Sequence, residues 1–326
     1  MSNKDIIAAV GAGRMGRGMA IAFAYSGHKV RLIDAKTRSE EAFQALRDAA
    51  MSELQSTLQM MAGFGLLDPT EVAQVSARVT VHARADLTDA LRGVPVIFEG
   101  VPETLDAKKE AFDLISNASD QRAIIASTTS TILSTDLERF VKNPERFLNA
   151  HWLNPAFLVP LVELSPCSKT SDSTTTALIT LLESIGKVPV TCAASPGYIV
   201  PRIQALAMNE AARLVEEGVA STEDIDKATK YGFGFRFAVL GLLEFIDWGG
   251  GDILYHASRY MSDATGSDRF TAPDIISENM EQNRRGLRDR SGFLDYDGLD
   301  IPSYQQGRIG AFAQMLQHLD KLPVKG

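Results

Sequence analysis

Ser130, His151 and Glu163, in the middle of the chain, have side chains whose types and spacing suit proton transfer. A histidine titrates near neutral pH, so the imidazole of His151 can accept the proton of a hydroxyl group as hydride leaves the same molecule. Glu163 comes twelve positions later, beyond a turn that can bring two strands side by side. Its carboxylate can fix the imidazole tautomer and stabilise the protonated ring, while the Ser130 hydroxyl can bond to the reacting oxygen.

Each of these three residues also has an ordinary structural explanation. His151 could be a hydrogen-bonded histidine of the core, Glu163 a buried cap or ion-pair partner, and Ser130 the N-cap of a following helix. Their order along the chain, and their position after a nucleotide-binding pattern, favour the catalytic interpretation.

The nucleotide-binding pattern is an apolar strand over residues 6–10 followed by the sequence Gly-Ala-Gly-Arg-Met-Gly. Gly11 allows a tight turn, Gly13 lets the backbone approach a pyrophosphate, and Gly16 lets the next helix pack close to the strand. The helix start offers free N–H groups and the positive end of its dipole. The residues predicted to bind the cofactor here are Gly11, Gly13, Arg14, Met15 and Gly16.

Asp34 ends the next predicted strand and suggests which dinucleotide binds. A carboxylate about 20 residues after the glycines can accept hydrogen bonds from the adenosine ribose. It favours NAD, because the 2′-phosphate of NADP would meet a like charge. Arg38 follows closely, and a basic residue there can serve NADP. The alternative to a dinucleotide site is an ordinary turn that needs its glycines only for shape.

The order of the predicted elements defines the fold class. Strands and helices alternate in the first part of the chain, which predicts an α/β, doubly wound, Rossmann-type sheet that is mostly parallel and has helices on both faces. Ligands gather at the carboxyl ends of such strands, where Ser130 and His151 lie. After Ser195 the periodicity is helical. We therefore predict an NAD-binding domain over residues 1–194 and an all-α substrate and dimerisation domain over residues 195–326.

Composition limits the classes of partner. The 326 residues suffice for two domains, and 45% hydrophobic and 23% charged residues are ordinary for a globular protein. A net charge of −8 argues against general nucleic-acid binding. Cys167 and Cys192 form no disulfide framework and lack metal-site spacing, so we expect a reducing cytoplasm and no metal. We expect neither a secretory signal before Ile6 nor a membrane span.

Five features together resemble the 3-hydroxyacyl-CoA dehydrogenase family, in matching order and spacing over residues 6 to about 260. They are the glycine-rich turn, Val101-Pro102-Glu103 with Lys108, the run from Ser127 to Ser130, the array His151…Asn154-Pro155…Glu163, and Ser195-Pro196-Gly197-Tyr198-Ile199. That family transfers hydride between NAD and C3 of an L-3-hydroxyacyl substrate. The resemblance implies an NAD-dependent oxidoreductase with His151 as general base, Glu163 as its partner, and Ser130 bonded to the substrate.

The resemblance also implies roles for residues outside that set. Glu103 and Lys108 resemble residues near the nicotinamide ribose, so we assign them to cofactor binding. Asn154 matches a family asparagine close to the histidine and is assigned to substrate binding. Family members are usually dimers through the helical domain, so we expect a homodimer.

Pro201 marks one departure from acyl-CoA members of the family. Those members follow Pro-Gly-Phe with Ile-Val-Asn-Arg, and the asparagine lies in the active site, whereas this chain reads Tyr-Ile-Val-Pro-Arg over residues 198–202. Proline offers neither a side-chain donor nor an N–H group. The role of the asparagine must therefore be filled otherwise or not at all.

Residues 232–238 carry the second departure, Gly-Phe-Gly-Phe-Arg-Phe-Ala, where acyl-CoA members tend to have Pro-Met-Gly-Pro. This version resembles the branch that oxidises free hydroxy acids, which includes L-gulonate 3-dehydrogenase with its relative lambda-crystallin, carnitine dehydrogenase and a pyridine-carboxylate alcohol dehydrogenase. Arg236 is predicted to pair with a substrate carboxylate, because a guanidinium matches a carboxylate and stays charged. A surface arginine or a helix-end salt bridge is the alternative.

Three functions remain open at this point. The first is a dehydrogenase of a free 3-hydroxy acid, and the second is a short-chain 3-hydroxyacyl-CoA dehydrogenase acting on a substrate such as 3-hydroxybutyryl-CoA. The third is a non-catalytic NAD-binding structural protein, which the joint presence of Ser130, His151 and Glu163 argues against.

Overall fold

The computed structural model describes residues 5–324, which form two compact units that meet in sequence between Ala207 and Met208. The first unit contains an eight-stranded sheet with strand order 3-2-1-4-5-6-7-8. Every neighbouring pair is parallel except β6 and β7, which are antiparallel. The strands are β1 (Ile6–Val10), β2 (Lys29–Ile33), β3 (Val79–His82), β4 (Val96–Glu99), β5 (Ile124–Ser127), β6 (Phe147–Trp152), β7 (Leu161–Pro166) and β8 (Val188–Thr191).

Helices lie between most of the consecutive strands, and one further helix follows β8 and continues into the second unit. They are α1 (Arg14–Tyr25), α2 (Glu40–Gly63), α3 (Val72–Ser76), α4 (Leu87–Leu91), α5 (Leu105–Ala118), α6 (Ser134–Leu137), α7 (Asp172–Ser184) and α8 (Val200–Glu216). The α/β, doubly wound, mostly parallel sheet predicted from the sequence is confirmed.

The core of the first unit lies on both faces of the sheet. Along β1, Ile7 and Ala9 belong to one buried cluster, while Ala8 and Val10 belong to the other. Side chains alternate between the two faces of a strand, so a strand covered on both faces needs a continuous apolar run. Helices α1, α2, α3 and α7 supply the first cluster, and α4, α5 and α6 supply the second.

The strand order reverses its direction of growth at β1. From there the sheet extends through β2 to one edge and through β4 toward the other. Ligands of open α/β sheets bind outside the carboxyl ends of the strands at such a reversal. Gly11 follows β1 and Gly100 follows β4, so both border that crevice.

The second unit is helical, as predicted. Its helices after α8 are α9 (Thr222–Ala228), α10 (Phe235–Phe237), α11 (Leu242–Gly249), α12 (Gly251–Thr265), α13 (Asp274–Glu281) and α14 (Ile301–His318). The buried carboxylate of Asp247 in α11 accepts hydrogen bonds from the amides of Phe293 and Leu294 and from the hydroxyl of Tyr296. These bonds fix the segment before α14 against α11. Within residues 5–324, no helix has both the length and the apolarity that crossing a bilayer requires.

Candidate active site

The glycine-rich turn after β1 has the conformation and the clearance that a dinucleotide needs. Gly11 has φ +118°, and a Cβ there would lie 2.4 Å from the carbonyl oxygen of Gly100. A Cβ on Gly16 would lie 2.0 Å from the carbonyl oxygen of Gly11. Above Gly13, by contrast, no atom of the described residues other than its chain neighbours lies within 4 Å of an added Cβ. Two glycines are therefore required by packing, and the third leaves its face open to a ligand.

The first turn of α1 borders a cavity of about 430 Å³. Its N-cap, Gly13, has no side chain to cap the helix, and the first turn holds no acidic residue. The amides at this helix start are thus available to a diphosphate, which the helix dipole also favours. The lining includes Gly11, Gly13, Arg14, Met15, Asp34, Arg38 and Gly100. These features fit the predicted dinucleotide.

Asp34 is buried at the same cavity and is held in place by its neighbours. One carboxylate oxygen accepts a hydrogen bond from the Arg38 side chain, and the other accepts one from the amide of Lys36. Arg38 therefore pairs with the carboxylate that the sequence assigns to the adenosine ribose.

Lys108 and Glu99 form a fully buried ion pair at the carboxyl end of β4. Nζ of Lys108 lies 3.1 and 3.0 Å from the two carboxylate oxygens of Glu99. Ser127 and the amide of Val101 also donate to this carboxylate, over 2.8 and 2.7 Å. Lys108 further lies 3.4 Å from Glu103. Buried charges require such partners, so the cluster is internally compensated.

Glu103 fixes the segment that carries Ser130. Its Oε1 accepts hydrogen bonds from the amides of Ser130 and Thr131, at 3.0 and 2.9 Å, and from the Thr129 hydroxyl. Burial opposes ionisation of this carboxyl, but the bonds from Thr129 and Thr131 and the charge of Lys108 prevail and lower its pKa to about 2. Glu103 is therefore a carboxylate at neutral pH and holds the segment after β5.

His151 and Glu163 are directly opposite each other on the antiparallel strands β6 and β7. Opposed residues in an antiparallel pair project to the same face of the sheet. Nδ1 of His151 lies 2.8 Å from Oε2 of Glu163, and the two residues are 5% and 1% exposed. The structure thus brings together the predicted imidazole and carboxylate.

The second oxygen of Glu163 binds the start of α8. Oε1 accepts hydrogen bonds from the amides of Ile199 and Val200, at 3.0 and 2.7 Å. Pro201 lies in the first turn of this helix, where its missing N–H group costs no helical hydrogen bond. The helix start offers Glu163 two donors and the positive end of a dipole, which together favour its negative charge.

Asn154 and Arg236 are the two remaining substrate candidates, and the first belongs to the first unit and the second to the second unit. Asn154 is exposed and lines a cavity of about 310 Å³ that Arg14 and Phe157 also line. Within residues 5–324, no hydrogen bond joins it to His151. Arg236 is exposed in the second unit, donates from Nε to the carbonyl of Gly232, and lies over the ring of Phe245. Its guanidinium has no carboxylate partner among the described residues.

Two residues of the site were given no role of their own by the sequence, although Ser127 belongs to a run that resembles the family. Glu99 and Ser127 end adjacent strands, where an acid and a serine are also common as caps. Their role depends on Lys108 reaching Glu99 from the next helix, nine positions later, while Ser127 donates to the same carboxylate. A lysine followed by a second lysine and a glutamate in a helix normally indicates an exposed face, so only the three-dimensional packing identifies the cluster.

Two family models together match most of the chain. The NAD binding domain of 3-hydroxyacyl-CoA dehydrogenase matches residues 6–195, and the C-terminal domain of 3-hydroxyacyl-CoA dehydrogenase matches residues 197–296. The chain belongs to the 3-hydroxyacyl-CoA dehydrogenase family. It is therefore an NAD-dependent oxidoreductase acting on a CH–OH group, which confirms the predicted family, enzyme class and cofactor.

Relatives of this dehydrogenase come from more than one branch of the family. The 5-formyl-3-hydroxy-2-methylpyridine 4-carboxylate 5-dehydrogenase of Mesorhizobium japonicum is 31% identical over 292 residues, 89% of this chain and 90% of that protein. Lambda-crystallin of Oryctolagus cuniculus is 33% identical over 253 residues, 77% of this chain and 76% of that protein. A crystal structure of a 3-hydroxyacyl-CoA dehydrogenase from Archaeoglobus fulgidus has a TM-score of 0.76 and 28% identity, covering 98% of this chain and all (100%) of that one.

Proposed function

We propose that this dehydrogenase converts a secondary alcohol beta to a carboxyl or thioester group into the ketone, with His151 as general base and Glu163 as its partner. The observation that carries the proposal is the buried contact of 2.8 Å between Nδ1 of His151 and Oε2 of Glu163. Bound NAD supplies the hydride acceptor. The glycine-rich turn and Asp34 hold it, as the open face of Gly13 and the adjoining cavity support.

The geometry of the pair fixes which nitrogen of His151 can act. A carboxylate accepts from an N–H group, so the proton of the neutral ring is on Nδ1 and the lone pair is on Nε2. Nε2 takes the proton of the substrate hydroxyl while the electrons of the C–H bond leave as hydride, and the carbon–oxygen bond becomes a carbonyl. Glu163 stabilises the imidazolium that forms. Ser130 donates a hydrogen bond to the substrate oxygen.

Glu103 and Lys108 hold the segment around Ser130 in place and do so without touching the substrate. Glu103 holds the segment that carries Ser130, and Lys108 compensates the charges of Glu103 and Glu99. We assign both residues to the nicotinamide half of the cofactor site, where Lys108 acts through Glu103 because the Lys108 side chain is only 1% exposed.

A free hydroxy acid is the substrate class we favour. Arg236 presents an exposed guanidinium that no carboxylate of residues 5–324 binds, and we assign it to the substrate carboxylate. Asn154 is assigned to a hydrogen bond with the substrate. The Mesorhizobium relative is named as a dehydrogenase of a pyridine carboxylate, which supports the same class. A short-chain 3-hydroxyacyl-CoA is the alternative, supported by the name of the Archaeoglobus structure.

The proposed organisation follows the sequence boundary between residues 194 and 195. Residues 1–194 form the NAD-binding domain, and residues 195–326 form the domain for substrate binding and for association into a homodimer. Large apolar side chains exposed in the second unit support the dimer, among them Met208 and Tyr260 at 69% and 74% exposure. Both free thiols, Cys167 and Cys192, support a reducing cytoplasm.

Steady-state assays with NAD and three alcohols test the proposal. We expect turnover of a free acid such as L-gulonate or carnitine in preference to 3-hydroxybutyryl-CoA, and Arg236→Met should raise the KM for the acid sharply. His151→Ala should abolish turnover while NAD still binds, whereas His318→Ala, at the exposed end of α14, should change neither property. Full activity in His151→Ala would refute the general base. NAD binding by the wild type without turnover of any alcohol would support a non-catalytic binding protein.

A further inference from the structure

We propose that Tyr198 is a positioning residue that connects the segment carrying Ser130 to the His151–Glu163 pair. The inference rests on the proposed function, because it assumes that Ser130 and His151 act on the substrate. It goes beyond that function by assigning a role to a side chain that lies between the two halves of the site.

Tyr198 contacts both halves with one side chain. It lies two residues before the start of α8 and is 4% exposed. Its hydroxyl donates a hydrogen bond of 3.0 Å to the carbonyl oxygen of Ile132, two residues after Ser130. Its ring lies beside the imidazole of His151, with ring centres 6.0 Å apart and planes 24° from parallel. Movement of Tyr198 would therefore disturb both the segment that carries Ser130 and the ring of His151.

The backbone at Tyr198 has a conformation that other contacts must maintain. Gly197 and Tyr198 have φ +76° and +44°, so two consecutive residues are left-handed. This reversal directs the amides of Ile199 and Val200 at Glu163. A non-glycine residue in this region is strained and persists only where its surroundings hold it, which is common at functional sites.

The segment over residues 129–132 is held from several sides, and the Tyr198 bond is the one from the histidine side. Glu103 binds its amides, and the side chain of Asn149 donates to the carbonyl of Thr129 over 3.1 Å. Burial raises the pKa of Tyr198 well above its ordinary value, so the hydroxyl remains a donor at every working pH. The bond to Ile132 is therefore not lost through ionisation of the phenol near neutral pH.

Tyr198→Phe is the decisive variant, because it keeps the ring beside His151 and removes only the hydroxyl. We expect a loss of about fivefold in kcat/KM for the alcohol, the size that one hydroxyl–carbonyl hydrogen bond gives, with NAD affinity unchanged. Tyr25→Phe is the matched control, since it also removes a bond from a tyrosine hydroxyl to a carbonyl, that of Leu66. Its kcat/KM should equal that of the wild type.

A double-mutant cycle with Ser130→Ala distinguishes positioning from general stability. If Tyr198 acts through Ser130, adding Tyr198→Phe to Ser130→Ala causes no further loss of kcat/KM. Additive losses, or a Tyr198→Phe variant as active as the wild type, would overturn the proposal. If Ser130→Ala itself is fully active, the failure lies in the proposed function.

Hydrogen exchange gives a readout that needs no turnover. We expect the amides of residues 129–132 to exchange several-fold faster in Tyr198→Phe than in the wild type or Tyr25→Phe, in the absence of substrate. Unchanged exchange over this segment would overturn the proposal even if the substrate of the enzyme were still unknown. Faster exchange in an enzyme that turns over no alcohol would refute the proposed function and leave the connection through Tyr198 intact.

Discussion

At the scale of single residues, Glu163 has two tasks that depend on its charge. One oxygen binds Nδ1 of His151, and the other binds two amides at the start of α8. A glutamine has the same shape but carries an NH₂ group on one side. Because that group can donate to Nδ1, it would move the ring proton to Nε2 and remove the base.

We therefore predict that Glu163→Gln lowers kcat by about 10²- to 10⁴-fold with little change in NAD affinity. Steady-state kinetics and a fluorescence titration with NADH measure the two quantities. Glu183→Gln, on the exposed side of α7, is the control and should behave as the wild type. A Glu163→Gln variant with more than half of the wild-type kcat would show that the carboxylate charge is not needed.

Glu103 links the site to pH, because its pKa falls from 4.5 to about 2 in the folded protein. A lowered pKa contributes stability that is complete above the unfolded value and is lost as pH falls through the folded value. We predict that Glu103→Gln lowers the free energy of unfolding by about 1–2 kcal/mol at pH 7, a figure reduced for its partial exposure.

The difference between Glu103→Gln and the wild type should shrink between about pH 4.5 and pH 2. Urea unfolding at pH 7, 5 and 3 measures it. Glu278→Gln, exposed on α13, should show no such difference at any pH. A difference that stays constant down to pH 3 would mean that the contacts described do not lower the pKa of Glu103.

Residue types were sufficient to predict that His151 and Glu163 pair, but not which groups hold the neighbouring segments in place. An imidazole and a carboxylate after neighbouring strands have few uses, so His151 and Glu163 could be paired from the sequence. Lys108 could be assigned to the cofactor site only through the family resemblance, because the sequence indicates nothing more for its partner Glu99 than the end of a strand. The Lys108–Glu99 pair depends on the side chain lying in the core, which no local pattern encodes.

At the scale of elements, the reversal before α8 determines where its first amides point. Gly197 has φ +76°, and a Cβ there would lie 3.3 Å from the Cβ of Arg202. We predict that Gly197→Ala lowers the free energy of unfolding by about 1–2 kcal/mol, because alanine is strained in the left-handed region. It should also reduce kcat, since the amides of Ile199 and Val200 would turn away from Glu163.

The matched control for that variant is Gly310→Ala, inside α14. Apart from its chain neighbours and the backbone of its own helix, no atom of the described residues lies within 4 Å of an added Cβ there. Alanine is the better helix former, so this variant should be as stable as the wild type or up to about 1 kcal/mol more stable. Thermal unfolding and steady-state kinetics of both variants test the argument. Equal stability and activity in Gly197→Ala would contradict it.

The elements were predictable where periodicity is strong. Continuous apolar runs separated by amphipathic helices fixed the parallel sheet, and the turn between His151 and Glu163 suggested the neighbouring strand. The start of α8 was not predictable in the same way. In the sequence, Pro201 indicated only that an asparagine of the family is missing, whereas the structure shows that a proline suits this first helical turn. No local pattern reveals that the two amides before it bind Glu163.

At the scale of the whole molecule, the second unit leaves several large apolar side chains exposed that its own packing does not cover. Met208, Ile253, Tyr260 and Ile309 are each at least 60% exposed. No residue of α14 is buried among those described, although the helix has 18 residues. Each such side chain gains about 1.5–3 kcal/mol when it is fully covered. The simplest cover is a second copy of the chain, which would bury these surfaces on both partners at once.

We therefore predict that the protein is a dimer at micromolar concentration and that Met208→Glu shifts it toward the monomer. The charge would be buried without a partner at the interface, a penalty of several kcal/mol. Sedimentation velocity over a dilution series measures the mass, and Met60→Glu, at a partly exposed apolar residue of α2, is the control that should remain dimeric. A wild type that sediments as a monomer at all concentrations would remove the dimer, and these apolar side chains would then need another cover.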